Sequence, residues 1–181
     1  MKIIVFLADG FEEVEALTVV DYLRRVDIEV DMVSITDKIE VKGAHAIEVI
    51  SDKLLKDLDI KDYQGLVIPG GLPGASNLQA SQGVVDFVKD MNQRQALIAA
   101  ICAGPIVLQE AGVIKDKNFT CYPGFEEKIK DGNHKEENVV VDGNIITSRG
   151  PALAVDFTLE IVNYLLGSEK RDELKKDILY K

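Results

Sequence analysis

Leu97-Ile98-Ala99-Ala100-Ile101-Cys102-Ala103-Gly104-Pro105 joins an apolar run to a small-residue turn and a helix-start signal. The unbroken apolar run reads as a strand covered on both faces. Ala103-Gly104 makes a tight turn, and Pro105 opens a helix. That order displays Cys102 at the carboxyl edge of a sheet and beside a helix N-terminus, where backbone N–H groups favour negative charge. The expectation is a stabilised thiolate, the reactive form of cysteine. A free cysteine is more often a small buried core residue, but the Gly-Pro turn argues for display.

On either side of this stretch, strand and helix patterns alternate. Ile3–Leu7 is a first buried strand. Glu13–Val26 is a helix with Val14, Leu17, Val20 (or Asp21) and Arg24 at helical spacing. Glu29–Ile35 is a second strand, and Val41–Ile50, broken by Gly43-Ala44-His45, is an antiparallel excursion. Gly65–Pro69 ends in Gly70-Gly71, and Ser81–Met91 is a helix with an apolar face of Val84, Val85, Val88 and Met91. After the helix Pro105–Ala111, Phe119–Tyr122 is a short strand and Val139–Thr147 a hairpin around Asp142-Gly143. Ala152–Leu166 is a helix with Leu153, Phe157, Ile161, Tyr164 and Leu165 as its buried stripe. The charged tail Ser168–Lys181 is a surface helix, most firmly over 170–181, with Leu174, Ile178 and Leu179 as a weak apolar stripe. The whole is one α/β domain over 1–181, a mostly parallel sheet with helices on both faces. In such sheets ligands lie beyond the carboxyl ends of the strands. Ala8-Asp9-Gly10, Pro69-Gly70-Gly71 and Cys102-Ala103-Gly104 all fall on that edge.

Composition narrows the function classes. The formal charge of −10 disfavours nucleic acid and anionic membrane surfaces as partners. No apolar stretch is long enough to span a bilayer, and acidic residues follow the apolar N-terminus where a cleavage site would be needed. Two cysteines imply no disulfide framework, and a reducing cytoplasm is the expected compartment. Neither His45 nor His134 follows a metal-ligand spacing, so no metal site is expected. No P-loop or Gly-x-Gly-x-x-Gly is present, so no cofactor is expected.

Two further features bear on Cys102. Gly70-Gly71 lets backbone N–H groups approach a ligand closely; with the amide of Ala103 it forms a candidate oxyanion pocket. In the acidic cluster Glu12-Glu13-Val14-Glu15, the first two carboxylates are expected in solvent, complementing the helix N-terminus. Glu15, one turn in, is expected to face inward as the protonated partner of a thiolate.

Ala8–Glu15, Val67–Gly71, Ala99–Pro105 and Thr147–Pro151 occur in order, and together they resemble the ThiJ/PfpI superfamily, in its branch containing the parkinsonism-linked protein deglycase. The resemblance runs from Ile3 to about Leu166. It implies a flavodoxin-like three-layer sandwich and a homodimer. It makes Cys102 the nucleophile, Glu15 its protonated partner, and the amides of Gly71 and Ala103 the oxyanion-type donors. It implies ready oxidation of Cys102 to sulfinate. Gly70 and Tyr122 then belong to the pocket, and Arg24, His45 and Arg149-Gly150-Pro151 lie near the dimer interface and the pocket mouth. Tyr122-Pro123 stands where members of this branch commonly carry a pocket histidine before the proline. Tyrosine, with an ordinary pKa of about 10, is no base at neutral pH. Cys121, its neighbour on a strand, is expected to point away from the pocket.

The expected function is a cofactor-free, cysteine-dependent deglycase or glyoxalase. In it the Cys102 thiolate attacks a glyoxal-type carbonyl or a glycation adduct, and Glu15 shuttles a proton. One alternative is a redox sensor and stress-protective chaperone acting through Cys102 oxidation. Another is a cysteine peptidase or amidase, which needs an imidazole; His134 is the remaining candidate. A thiamine-pathway role would rest on the superfamily's name alone.

Overall fold

Strand side chains alternate between two faces, and each face of the central sheet has its own core. The computed structural model describes residues 1–180. In chain order the elements are β1 (Lys2–Leu7), α1 (Glu13–Arg25), β2 (Glu29–Ser34), β3 (Glu40–Lys42), β4 (Glu48–Ile50), β5 (Lys53–Leu54) and β6 (Gly65–Ile68). These are followed by α2 (Gly74–Ala80), α3 (Gln82–Gln93), β7 (Leu97–Ile101), α4 (Pro105–Glu110), β8 (Asn118–Phe119) and β9 (Asn133–His134). The last are β10 (Val139–Asp142), β11 (Ile145–Ser148), α5 (Ala154–Leu166) and α6 (Ser168–Asp177). The main sheet runs β10-β11-β7-β6-β1-β2-β5, parallel except for the β10–β11 hairpin.

On one face Ile4, Phe6, Leu66, Ile68, Ile98 and Ala100 pack against Leu78, Val84, Val88 and Val107 of α2, α3 and α4. On the other, Ile3, Val5, Leu7, Val67 and Ala99 pack against Val19, Leu23, Phe157 and Ile161 of α1 and α5. The result is the expected three-layer sandwich. From β1 the chain steps to β2 on one side and later to β6 on the other. The strand order therefore reverses between β1 and β6, and a crevice opens there beyond their carboxyl ends. Among the described residues no helix is long and apolar enough to cross a membrane.

Some elements differ from expectation. In α1 the buried face is Ala16, Val19, Val20 and Leu23, while Val14 is 53% exposed and Leu17 half-buried. The segment carries two overlapping helical stripes, and packing selected the one whose Ala16 allows close approach to the sheet. That choice turns Glu13 and Glu15 inward as well. Helix α2 occupies the stretch between Gly71 and Ser81, for which the sequence reading gives no element. The strand expected over Phe119–Tyr122 stops at Phe119, because β8 is held only by the short β9. Tyr164 of α5 is 41% exposed. The C-terminal helix begins at Ser168 and ends at Asp177. It buries Leu174 and leaves Leu179 exposed. Lys181 lies outside the described residues.

Candidate active site around Cys102

The segment β7 is entirely buried and delivers the chain to Cys102, which sits at φ 62°. A left-handed conformation costs a non-glycine residue on the order of 1–2 kcal/mol. Flanking backbone bonds hold it: the Cys102 N–H donates to the Ser148 carbonyl at 2.9 Å, and the Cys102 carbonyl accepts the Tyr122 N–H at 2.9 Å. The Gly104 N–H closes the turn onto the Ile101 carbonyl at 2.8 Å, and Pro105 starts α4. Cys102 is partly exposed, as the strand-turn-helix reading requires.

Glu15 is fully buried. It reaches the sheet edge because the first turn of α1 is tied to Gly70 from both sides. The Glu12 N–H donates to the Gly70 carbonyl at 3.0 Å, and the Gly70 N–H donates to Glu15 Oε2 at 2.7 Å. Among the described residues Glu15 Oε1 has no hydrogen-bond partner, and the nearby Cys102 thiol acts electrostatically on this carboxyl. Gly70 lies between the two side chains. A Cβ there would stand 2.6 Å from Cys102 Cβ and 2.8 Å from Glu15 Oε2.

Burial works on both members of the pair. Burial raises the Glu15 carboxyl to about 7, against the opposing pull of the Gly70 N–H and the thiol. Burial, reinforced by the neighbouring Glu15 charge, pushes the Cys102 thiol up to about 12, although the N–H groups of Ala103 and Gly71 pull it down. Burial thus opposes the stabilised thiolate expected at the elbow, while the rise of the Glu15 carboxyl is in the direction expected of a protonated partner. The Ala103 and Gly71 N–H groups favour charge on the sulfur.

Tyr122, Arg149, Gly150 and Pro151 come together, with Pro123 and Leu153, around a shallow cavity of about 300 Å³. It adjoins the elbow through the Ser148 and Tyr122 backbone bonds. Tyr122 is 47% exposed while Cys121 is fully buried, so the two do point apart. His134 sits on β9 with its ring tilted against Phe119. Its buried Nε2 has no hydrogen-bond partner among the described residues, so it makes no bond to Cys102 and the peptidase reading lacks its imidazole.

Glu13 overturns the expectation of a solvated carboxylate. It is 3% exposed. It accepts the His45 backbone N–H at 2.7 Å and pairs with His45 Nδ1 at 2.8 Å. Burial raises its pKa, but these bonds together hold it below the usual carboxylate range. The Glu13 bond, then the Glu12 and Glu13 charges, raise the His45 pKa. Gly43 makes room for the Glu13 carboxyl, and that Gly43-x-His45 pattern was the one available signal in the sequence. Arg24 bonds within its own subunit, to the Asp52 carboxylate and the Val30 carbonyl, each at 2.8 Å.

Residues 1–164 match the DJ-1/PfpI family. The chain belongs to that family. The DJ-1/PfpI chain is 38% identical to the Danio rerio protein named Parkinson disease protein 7 homolog, covering 99% of this chain and 97% of that one. It is 35% identical to a Caenorhabditis elegans protein named glutathione-independent glyoxalase DJR-1.2, over 92% of this chain and 89% of the other. It spans only 41% of the Arabidopsis thaliana relative named protein DJ-1 homolog B. Its fold superimposes on Drosophila melanogaster DJ-1beta with a TM-score of 0.95 at 36% identity, covering 99% and 98% of the two chains. A Toxoplasma gondii structure described as oxidized DJ-1 gives the same TM-score at 33% identity, with the same coverage. The flavodoxin-like DJ-1 architecture is thus shared along the chain.

Proposed function

We propose that this chain is a cofactor-free glyoxalase- or deglycase-type enzyme acting on glyoxal-type carbonyls and their early adducts. The observation that carries this reading is a fully buried carboxyl, at about 7, interacting with the thiol of a strained elbow cysteine. A base of that pKa is matched to proton transfer near neutral pH. As the Cys102 sulfur adds to the aldehyde carbon, Glu15 takes the thiol proton and passes it to the carbonyl oxygen, giving a hemithioacetal. The Gly71 and Ala103 amides stabilise negative charge on that oxygen. Glu15 then removes the C–H proton of the hemithioacetal and returns it to the adjacent carbonyl carbon through an enediol. The resulting thioester is hydrolysed by water, releasing a 2-hydroxy acid and the Cys102 thiol. The named C. elegans glyoxalase supports the reading.

With methylglyoxal and no glutathione, purified protein is expected to form lactate. Rapid quench and peptide mapping are expected to place the acyl adduct on Cys102. Absence of lactate, or an adduct confined to Cys121, overturns the reading. A second reading has its own observation: the donor-free Glu15 Oε1 beside the thiol. In its protonated form that carboxyl would hold a Cys102 sulfinate, formed stepwise by two equivalents of peroxide.

We also propose a homodimer through the face carrying Val14, His45 and Ile47. Val14 is 53% and Ile47 52% exposed, and both flank the Glu13–His45 pair. Sedimentation of wild type is expected to give a dimer, and of Val14→Asp a monomer; a monomeric wild type sinks the proposal.

A further inference from the structure

Behind the Tyr122 loop, three side chains converge that the proposed chemistry does not use. Cys121 is fully buried, and its Sγ lies 3.9 Å from Glu126 Oε2. One donor atom from each of Cys121, Glu126 and His134 falls within 4.8 Å of the other two. The His134 atom that is buried, Nε2, has no hydrogen-bond partner among the described residues. A buried imidazole nitrogen without a partner costs on the order of 1–3 kcal/mol. A thiol, a carboxylate and an imidazole drawn this close leave that cost in place unless something sits among them.

We propose that Cys121, Glu126 and His134 form a transition-metal site, with Zn²⁺ its best-matched occupant. Sulfur, imidazole and carboxylate together are a zinc donor set. Tetrahedral bonds of about 2.0–2.3 Å place donors about 3.3–3.8 Å apart. The present spacing therefore needs a closure of at most about 1.5 Å, which side-chain rotation can supply. The donors are already oriented from outside. The Gly124 N–H bonds Glu126 Oε2 at 2.7 Å. The backbone of His134 pairs with Phe119 in the β8–β9 ladder, and its ring lies 5.5 Å from the Phe119 ring. Such outer contacts are what fix metal ligands. Binding exchanges the Cys121 thiol proton for the metal, so it releases a proton. The three protein donors leave a fourth position for water.

The site would act as a clasp. Its ligands come from the loop after β8, the turn at Glu126–Lys128 and β9, and that loop also carries the Tyr122 N–H that braces the Cys102 carbonyl. Metal would fix the loop and withdraw Cys121 from oxidants, leaving Cys102 as the one oxidisable thiol. The proposal does not depend on Cys102 being catalytic.

The test uses metal-free full-length protein, Zn²⁺ in competition with a chromogenic chelator, and Co²⁺ as a spectroscopic probe. Wild type and Cys102→Ala are expected to bind one Zn²⁺ per chain and to show a near-ultraviolet thiolate-to-cobalt band. Cys121→Ser is expected to lose that band. His134→Gln is expected to lose more affinity than the 10–100-fold typical of an outer-contact mutation. His45→Gln is expected to bind as wild type does. No binding by wild type, a band lost in Cys102→Ala, or full affinity in His134→Gln overturns the site.

Discussion

Glyoxal turnover falls to the buffer background in Cys102→Ala, and kcat/KM falls by about 10²–10⁴-fold in Glu15→Gln. The glutamine can still accept the Gly70 N–H through its amide oxygen, so the site keeps its shape. What it loses is proton exchange. Wild-type kcat/KM is expected to rise with pH through about 7, as Glu15 becomes the carboxylate that serves as base. That inflection is absent in Glu15→Gln. Stability runs the other way. The Glu15 pKa is raised from 4.5 to about 7 in the fold, so its protonated form is the better tolerated one. The associated stability is fully present below about pH 4.5 and is lost as pH rises through about 7. Above that, the folded protein carries a buried charge worth on the order of 3 kcal/mol. Glu15→Gln is therefore expected to unfold at higher urea than wild type at pH 8 and at nearly the same urea at pH 4.5. Full activity in the variant, or a lower urea midpoint at pH 8, contradicts the assignment of Glu15 as the poised acid-base group.

How far the sequence foretold this site depends on which interactions are local. The elbow was legible because an apolar run, small residues and proline act on neighbouring backbone. The inward turn of Glu15 was legible for a similar reason, since it stands one turn into the helix beside Ala16 and Leu17. The burial that raises both groups was not, because it depends on how much water Gly70, Gly71 and α1 exclude from them, and that is set by packing. Glu13 escaped for the same reason: a carboxylate at a helix start reads as solvated until the Gly43–His45 hairpin folds over it. The Cys121–Glu126–His134 cluster was hidden by spacing. Its ligands are separated by an irregular loop, and they meet only because β8 pairs with β9 in parallel. In α1 two stripes satisfied the same periodicity, so the buried one could be chosen only by the shape of the sheet beneath it.

Gly70→Ala is expected to cost about 1–3 kcal/mol of stability and roughly 10²-fold in kcat/KM. The reason is steric. The backbone at Gly70 needs no glycine conformation, but a Cβ there meets Cys102 Cβ at 2.6 Å, Glu15 Oε2 at 2.8 Å and the Ala103 backbone nitrogen at 3.0 Å. None of the three is the free end of a flexible side chain. Cys102 is clamped at φ 62° between the Ser148 and Tyr122 backbones, and Glu15 is held by the Gly70 N–H itself. The methyl must push apart the two groups between which the proton moves. Gly83→Ala in α3 makes the matching control. Its Cβ would touch only the side chain of Leu55, which can swing away, and alanine favours a helix. That variant is expected to keep wild-type activity and stability within about 1 kcal/mol. If Gly70→Ala matched it in both urea midpoint and kcat/KM, the thiol and carboxyl would not be working in contact. If only Gly70→Ala fails, the absence of one methyl group at the end of β6 is what allows a buried acid and a strained cysteine to share a proton.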